Sequence, residues 1–223
     1  KLSKKNKTFG YFHRMPEPLQ TEMFYKIKEL DYLLINSRIQ KNIFKKFFMW
    51  PGFKLKIIKS FRHHNIKLRK NIIYLPFEIK NTDFYLRKLS YINNNFIFLN
   101  KNFDISLHPL KSKNNEHISL KKKINKMIDK NKIKNINNIS IILGAPGSVA
   151  SECLQTFGKV LHITSSKFDI FSSVIWENIK VKKITNDIYL YERKSTANFI
   201  NTDKKKNNLK YFLKIVNNGL STV

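Results

Sequence analysis

Lysine is scattered through nearly all of this chain, so the stretch it avoids constrains the fold most. That stretch is residues 138–158, Asn-Ile-Ser-Ile-Ile-Leu-Gly-Ala-Pro-Gly-Ser-Val-Ala-Ser-Glu-Cys-Leu-Gln-Thr-Phe-Gly. Residues 139–143 are a short apolar, β-branched run, which predicts a strand. Gly144-Ala145-Pro146-Gly147 is a tight turn, because proline fixes its own φ and glycine enters conformations other residues avoid. Order resumes at Val149 and predicts a second strand or a short helix. Two chemical motifs come close here and fail. A phosphate-binding loop, GxxxxGK[ST], would use Gly144 and Ser151, but Val149 and Ala150 stand where it needs glycine and lysine. A nucleophile elbow around Ser148 needs glycines where Pro146 and Ala150 stand.

The charge is the second constraint. Forty-three Lys and Arg against 15 Asp and Glu give a net charge of +28. A chain so charged repels itself in isolation, and its partner is expected to be a polyanion, most often nucleic acid. Nucleotide bias toward Lys, Asn and Ile explains part of this composition, but not the scarcity of acids. Hydrophobic residues make up 42% of the chain, enough for a packed core rather than a disordered tail. Cys153 is the single cysteine, which excludes an internal disulfide and a multi-cysteine zinc site, and fits a reducing or organellar compartment. No apolar run reaches 18 residues, so no membrane span is expected. The sequence starts at Lys1, as a removed targeting segment or a boundary would leave it.

Residues 1–14 are basic and include Tyr11, Phe12 and His13, a mixture that suits threading into RNA or a disordered terminus. Apolar residues at steps of three to five, from Met23 to Phe47, predict a long helix over residues 19–50, stopped by Pro51-Gly52. From Phe53 to Lys70 cations and apolar groups interleave, and the alternation over 54–57 predicts a strand. Phosphate contact of this kind gives affinity without sequence reading. The candidate RNA-binding residues are Lys4, Lys5, Lys7, Arg14, Lys54, Lys56, Lys59, Arg62, His63, His64, Lys67, Arg69 and Lys70. The His63-His64 pair lacks acidic or cysteine neighbours at ligand spacing, so no metal is expected there. Residues 71–110 read as strands and loops, with short strands at 72–75 and 96–99. The Lys/Asn/Ile-rich segment 111–138 reads as a linker or an RNA-facing insertion, with at most one helical turn around Ile124. Beyond the central stretch, 159–163, 179–184 and 188–191 read as strands, and 209–216 as a short helix closed by Gly219. Trp176 and Cys153 read as core residues.

The run Ile-Ser-Ile-Ile-Leu-Gly-Ala-Pro-Gly-Ser-Val, followed by Ile-Tyr-Leu-Tyr at 188–191 and Leu-Lys-Tyr-Phe-Leu-Lys-Ile-Val-Asn-Asn-Gly-Leu-Ser at 209–221, resembles the N-terminal half of the large-subunit ribosomal protein L-six family, organellar type. The order of pieces matches from residue 138 onward and not before. Ala145 is an insertion relative to the family's Gly-Pro-x-Gly. The resemblance implies that the chain doubles back from strand to strand at Gly144. It also implies that 139–143 and 188–191 share one sheet, with 209–216 packed on it.

No histidine, acid or cysteine arrangement predicts an active site, and a Cys153–His162 thiol pair is the nearest approach. The expected fold class is α+β: a basic helical N-terminal extension plus a small antiparallel β-sheet with a packed C-terminal helix. The expected divisions are residues 1–70, 71–137 and 138–223. The expected function is that of a structural constituent of a mitochondrial ribosome, in its large subunit, contacting ribosomal RNA and neighbouring ribosomal proteins. No cofactor and no catalysis are expected. Two other classes stay open: an accessory subunit of an organellar membrane complex, and an RNA-modifying enzyme using the Gly144 turn as its cofactor loop.

Overall fold

The computed structural model describes residues 7–12, 30–58, 71–96, 99, 102–128 and 139–194. Among these residues are two sheets and four α-helices. The first sheet contains β1 (Phe9–Tyr11), β2 (Tyr32–Ile35) and β3 (Leu55–Ile57), all parallel with β2 in the middle. Helix α1 (Arg38–Lys46) joins β2 to β3. Parallel neighbours need such a crossover, because a tight turn can only return the chain antiparallel.

The second sheet has six strands. Its elements run β4 (Ile72–Tyr74), α2 (Thr82–Asn95), β5 (Asp104–Ser106), α3 (Asn115–Met127), β6 (Ser140–Leu143), α4 (Gly147–Phe157), β7 (Lys159–Ile163), β8 (Ile179–Thr185) and β9 (Ile188–Arg193). In space the order is β5-β4-β6-β7-β9-β8. The four strands β4 to β7 are parallel, and only β9 runs against its neighbours.

Burial explains the arrangement. Ile141 and Leu143 of β6, Leu161 and Ile163 of β7, and Ile188 of β9 point to one face, where α2 and α3 cover them with Leu89, Ile92, Leu120 and Ile124. Ile142, Val160, Tyr189 and Tyr191 point to the other face. There they meet Cys153 and Leu154 of α4, Ile39, Ile43 and Phe44 of α1, Leu33, Ile35 and Leu55 of the small sheet, and Phe171 and Trp176. A single core therefore joins the small sheet to the large one. Each large side chain buried there is worth roughly 1.5–3 kcal/mol.

Several expectations change. The sheet is large and mostly parallel, not small and antiparallel, because the intervening helices cover both faces and near-continuous apolar strands suit that burial. The long helix expected over 19–50 is not formed: residues 32–35 are β2, and helix begins only at Arg38. The Tyr-Leu-Leu-Ile run pairs with strands on both sides, and Ser37 then starts α1 by accepting the Gln40 N–H at 3.1 Å. Residues 13–29 lie outside the described residues, so the basic helical extension is not shown. Residues 82–95, read as strand and loop, form α2, capped by Asn81, and Phe96 ends that helix rather than starting a strand. The supposed linker contains the 13-residue helix α3, anchored by buried Leu120 and Ile124 and capped by Asn114. After Gly144 the chain enters helix α4 and does not double back as a strand. The strands at 55–57, 72–74, 159–163, 179–185 and 188–193 agree with expectation, and β6 and β9 do share a sheet. The helix expected at 209–216 lies outside the described residues.

Candidate functional site

Strand β4 leads to β5 on one side of the sheet, while β6 leads to β7 on the other. Where the winding reverses, the loops beyond neighbouring strand ends part and leave a crevice, the usual ligand position in open α/β sheets. Here that place is the end of β4 and β6, marked by Pro76 and by the Gly144–Gly147 turn. Gly144 has φ +73°, and a Cβ there would come within 2.8 Å of Pro76 Cβ and 3.0 Å of the Tyr85 hydroxyl. Glycine is required on both counts. Gly147, at φ +51°, opens α4 with nothing within 4 Å of a Cβ. Pro146 precedes it and supplies no side-chain cap.

Buried His162 holds the turn from behind. Its Nε2 donates to the Gly144 carbonyl at 2.6 Å, and its Nδ1 accepts the Tyr191 hydroxyl proton at 2.9 Å. The Tyr191 oxygen in turn accepts the Phe171 N–H at 3.3 Å. Every proton in this chain is placed with the imidazole neutral, and burial lowers its pKa to about 4 although the Gly144 carbonyl works the other way. Burial also pushes the Tyr191 phenol upward. The thiol pair is not formed: both His162 nitrogens are engaged elsewhere, and Cys153 is a core residue whose thiol burial lifts to about 11.

Around the turn stand Tyr85, Thr164, Asp169 and His117. Thr164 Oγ1 donates to Asp169 at 3.2 Å, and His117 Nε2 lies 3.0 Å from the Pro76 carbonyl. Burial raises the Asp169 carboxyl, while the Thr164 hydrogen bond and the Lys80 charge pull it down. Burial, and then Asp169, raise the Tyr85 phenol. Sequence reading found the turn but none of this escort, because Tyr85, His117 and the Thr164–Asp169 pair come from α2, α3 and the β7–β8 connection without a shared motif.

The RNA candidates fall elsewhere. Lys4, Lys5, Arg14, Lys59, Arg62, His63, His64, Lys67, Arg69 and Lys70 lie outside the described residues. Lys56 is in β3 of the small sheet, while Lys7 lies just before β1 and Lys54 just before β3. Leu33, Ile35 and Leu55 face the core, while Tyr32 and Lys56, both half-buried, stand on the other face of the small sheet beside buried Leu34. Phe9 stacks on Tyr32 at 5.4 Å, with the ammonium groups of Lys56 and Lys7 at 5.1 and 6.0 Å from the Tyr32 ring centre. Lys54 Nζ donates to the Leu30 carbonyl at 2.8 Å. Among the described residues no three His, Cys, Asp or Glu gather as metal ligands, and no helix is long and apolar enough to cross a membrane. Comparison with family models, curated proteins and solved structures found no match.

Proposed function

We propose that this protein binds RNA, as a structural constituent of a mitochondrial ribosome, in the large subunit beside neighbouring ribosomal proteins. The observation that supports this is the pairing of a +28 charge with the Phe9–Tyr32 stack flanked by Lys7 and Lys56. Aromatic faces take unpaired bases and ammonium groups neutralise phosphate, together giving affinity with little sequence preference. With α4 in place of a returning strand, the ribosomal placement rests on charge and on this face, not on the turn. A salt titration against ribosomal RNA fragments tests it. Release of counterions from about 6–10 phosphates loses roughly three to five decades of affinity between about 50 and 200 mM salt for a duplex, and less for single strands. Neutralising Lys54, Lys56, Lys59 and Arg62 together lowers the slope by a few units, while replacing Lys204, Lys205 and Lys206 serves as the control. A parent protein indifferent to salt overturns the proposal, as does failure of the native protein to co-sediment with large ribosomal subunits.

A second reading is an enzyme acting on RNA, favoured by the position of the Gly144 turn at the reversal of the winding, where α/β sheets hold small ligands. Saturable binding of a nucleotide or methyl-donor cofactor, lost on Gly144→Val in a variant that still folds, would establish it over the structural role.

A further inference from the structure

On the face of the large sheet opposite the small one, α2 and the β8–β9 hairpin enclose a cleft of about 500 Å³, within the range of ligand pockets. Phe84, Arg87, Lys88 and Tyr91 line one wall, and Thr185, Asp187 and Ile188 the other. The helical spacing sets the pattern: positions three, four and seven residues apart share a face, so rings stand at both ends and cations between them. Lys88 Nζ crosses from one wall to Asp187 on the other at 2.6 Å and offsets its charge, and the same ammonium lies 5.6 Å from the Phe84 ring centre. Arg87 is exposed at the rim. Tyr91 is 41% exposed and tilts against Phe96, itself 52% exposed, at 5.8 Å. Tyr91 therefore offers a ring face to solvent on the same cleft wall as the Arg87 guanidinium. On the hairpin Lys182, paired across to Leu190, is exposed.

We infer that this cleft seats an unpaired nucleotide of single-stranded RNA, its base stacked on Tyr91 and its phosphate on Arg87. The inference rests on RNA being the partner, as proposed above, and it places a second contact away from the Phe9–Tyr32 face. A stacked base needs only a π-face and a neighbouring cation, so purines and pyrimidines are both accepted. A duplex is excluded, since its bases are already stacked and paired and leave no free face for Tyr91.

Fluorescence anisotropy with a 12-nucleotide single-stranded RNA and its duplex distinguishes the outcomes. Tyr91→Ala weakens binding of the single strand about 5- to 100-fold and leaves the duplex unchanged. Tyr91→Phe, which keeps the ring, stays near the parent value. Arg87→Gln lowers the single-strand salt slope by about 0.7, the share of one phosphate. Both positions are exposed, and an unchanged melting curve confirms that each variant folds. If the parent binds the single strand and Tyr91→Ala binds it equally well, the cleft is not the site and the RNA reading survives without it. Equal weakening for single strand and duplex also overturns the inference. If the parent binds neither oligonucleotide, the RNA reading falls and the inference with it.

Discussion

Among the described residues two strands pass through a short turn straight into a helix, β2 into α1 and β6 into α4, and these two units close their turns by different means. In β2–α1 the turn is Asn36-Ser37, and polar side chains fill it. Asn36 N–H donates to Gln40 Oε1 at 2.9 Å, Asn36 Nδ2 donates to the Phe12 carbonyl at 3.0 Å, and the Tyr11 hydroxyl donates to Asn36 Oδ1 at 3.2 Å. Ser37 caps the helix. Within this network Asn36, Ser37 and Gln40 are buried. In β6–α4 the turn is Gly144 to Gly147, held through its backbone: Gly144 N–H donates to the Ile163 carbonyl at 2.8 Å, and His162 donates to the Gly144 carbonyl. No side chain caps α4. Helix ends leave backbone donors that side chains, water or ligands must meet. The first unit meets them with its own chain, whereas the second does so with no side-chain cap. The turn at the end of β6, inside the large sheet, is therefore the one whose helix end carries no side-chain cap.

The largest expected effect comes from Gly144→Val. A β-branched residue at φ +73° is strained, and its Cβ meets Pro76 and Tyr85. Backbone strain of about 1–2 kcal/mol and overpacking of about 1–3 kcal/mol together predict a loss on the order of 2–5 kcal/mol by urea unfolding. A loss below about 1 kcal/mol would show that the β4 and β6 ends separate easily, and the turn would not be the rigid member of the pair.

Acid comes next. The native pKa of His162 is depressed to about 4 from an ordinary 6.5, so the unfolded chain takes up the proton first. The stabilisation is complete above about pH 6.5 and drains away as pH falls toward 4, a loss on the order of 3 kcal/mol. Asn36, Ser37 and Gln40 do not titrate, so this sensitivity belongs to the second unit alone. Unfolding curves measured from pH 7 to 4 should steepen in the parent and flatten in His162→Gln; an equal slope in both would take His162 out of the acid response.

How much of this was legible depends on range. Runs such as Ile-Ile-Leu at 141–143 and Val-Leu-His-Ile at 160–163 announce strands by composition, and their partners do not alter that. Strand direction was not legible, because β6 is parallel to β7 only through α4, and α4 was read as either strand or helix. The helix expected over 19–50 failed at Tyr32–Ile35 because apolar residues at helical spacing also fill a strand buried on both faces. Lysines misled as well. In α3, Lys121, Lys122 and Lys123 made a packed helix resemble a linker, although Leu120 and Ile124, four apart, already marked the face that is buried. The turn at Gly144 was visible as glycine and proline. Its escort was not, since Tyr85, His162 and Asp169 meet only once the sheet has formed.

The smallest effects test the comparison itself, through its caps. Ser37 sits at φ −155°, ψ 161°, the extended conformation from which a hydroxyl reaches back to the helix, so Ser37→Ala should lose about 0.5–2 kcal/mol. Pro146 occupies the same position before α4, which suggests that Pro146→Ser would add the missing cap and stabilise the protein. The backbone argues otherwise. Pro146 is at φ −75°, ψ −22°, already helical, and from there a serine hydroxyl does not point at the donors two and three residues on. The substitution also frees the unfolded chain from proline's restriction, which costs about 0.4–1 kcal/mol. Pro146→Ser should therefore be neutral to slightly destabilising by thermal unfolding, whereas Ser37→Ala is measurably harmful. Stabilisation of Pro146→Ser by a full capping increment would mean that the second turn can adopt the extended cap geometry, making it a relaxed copy of the first and removing the reason to single out its helix end.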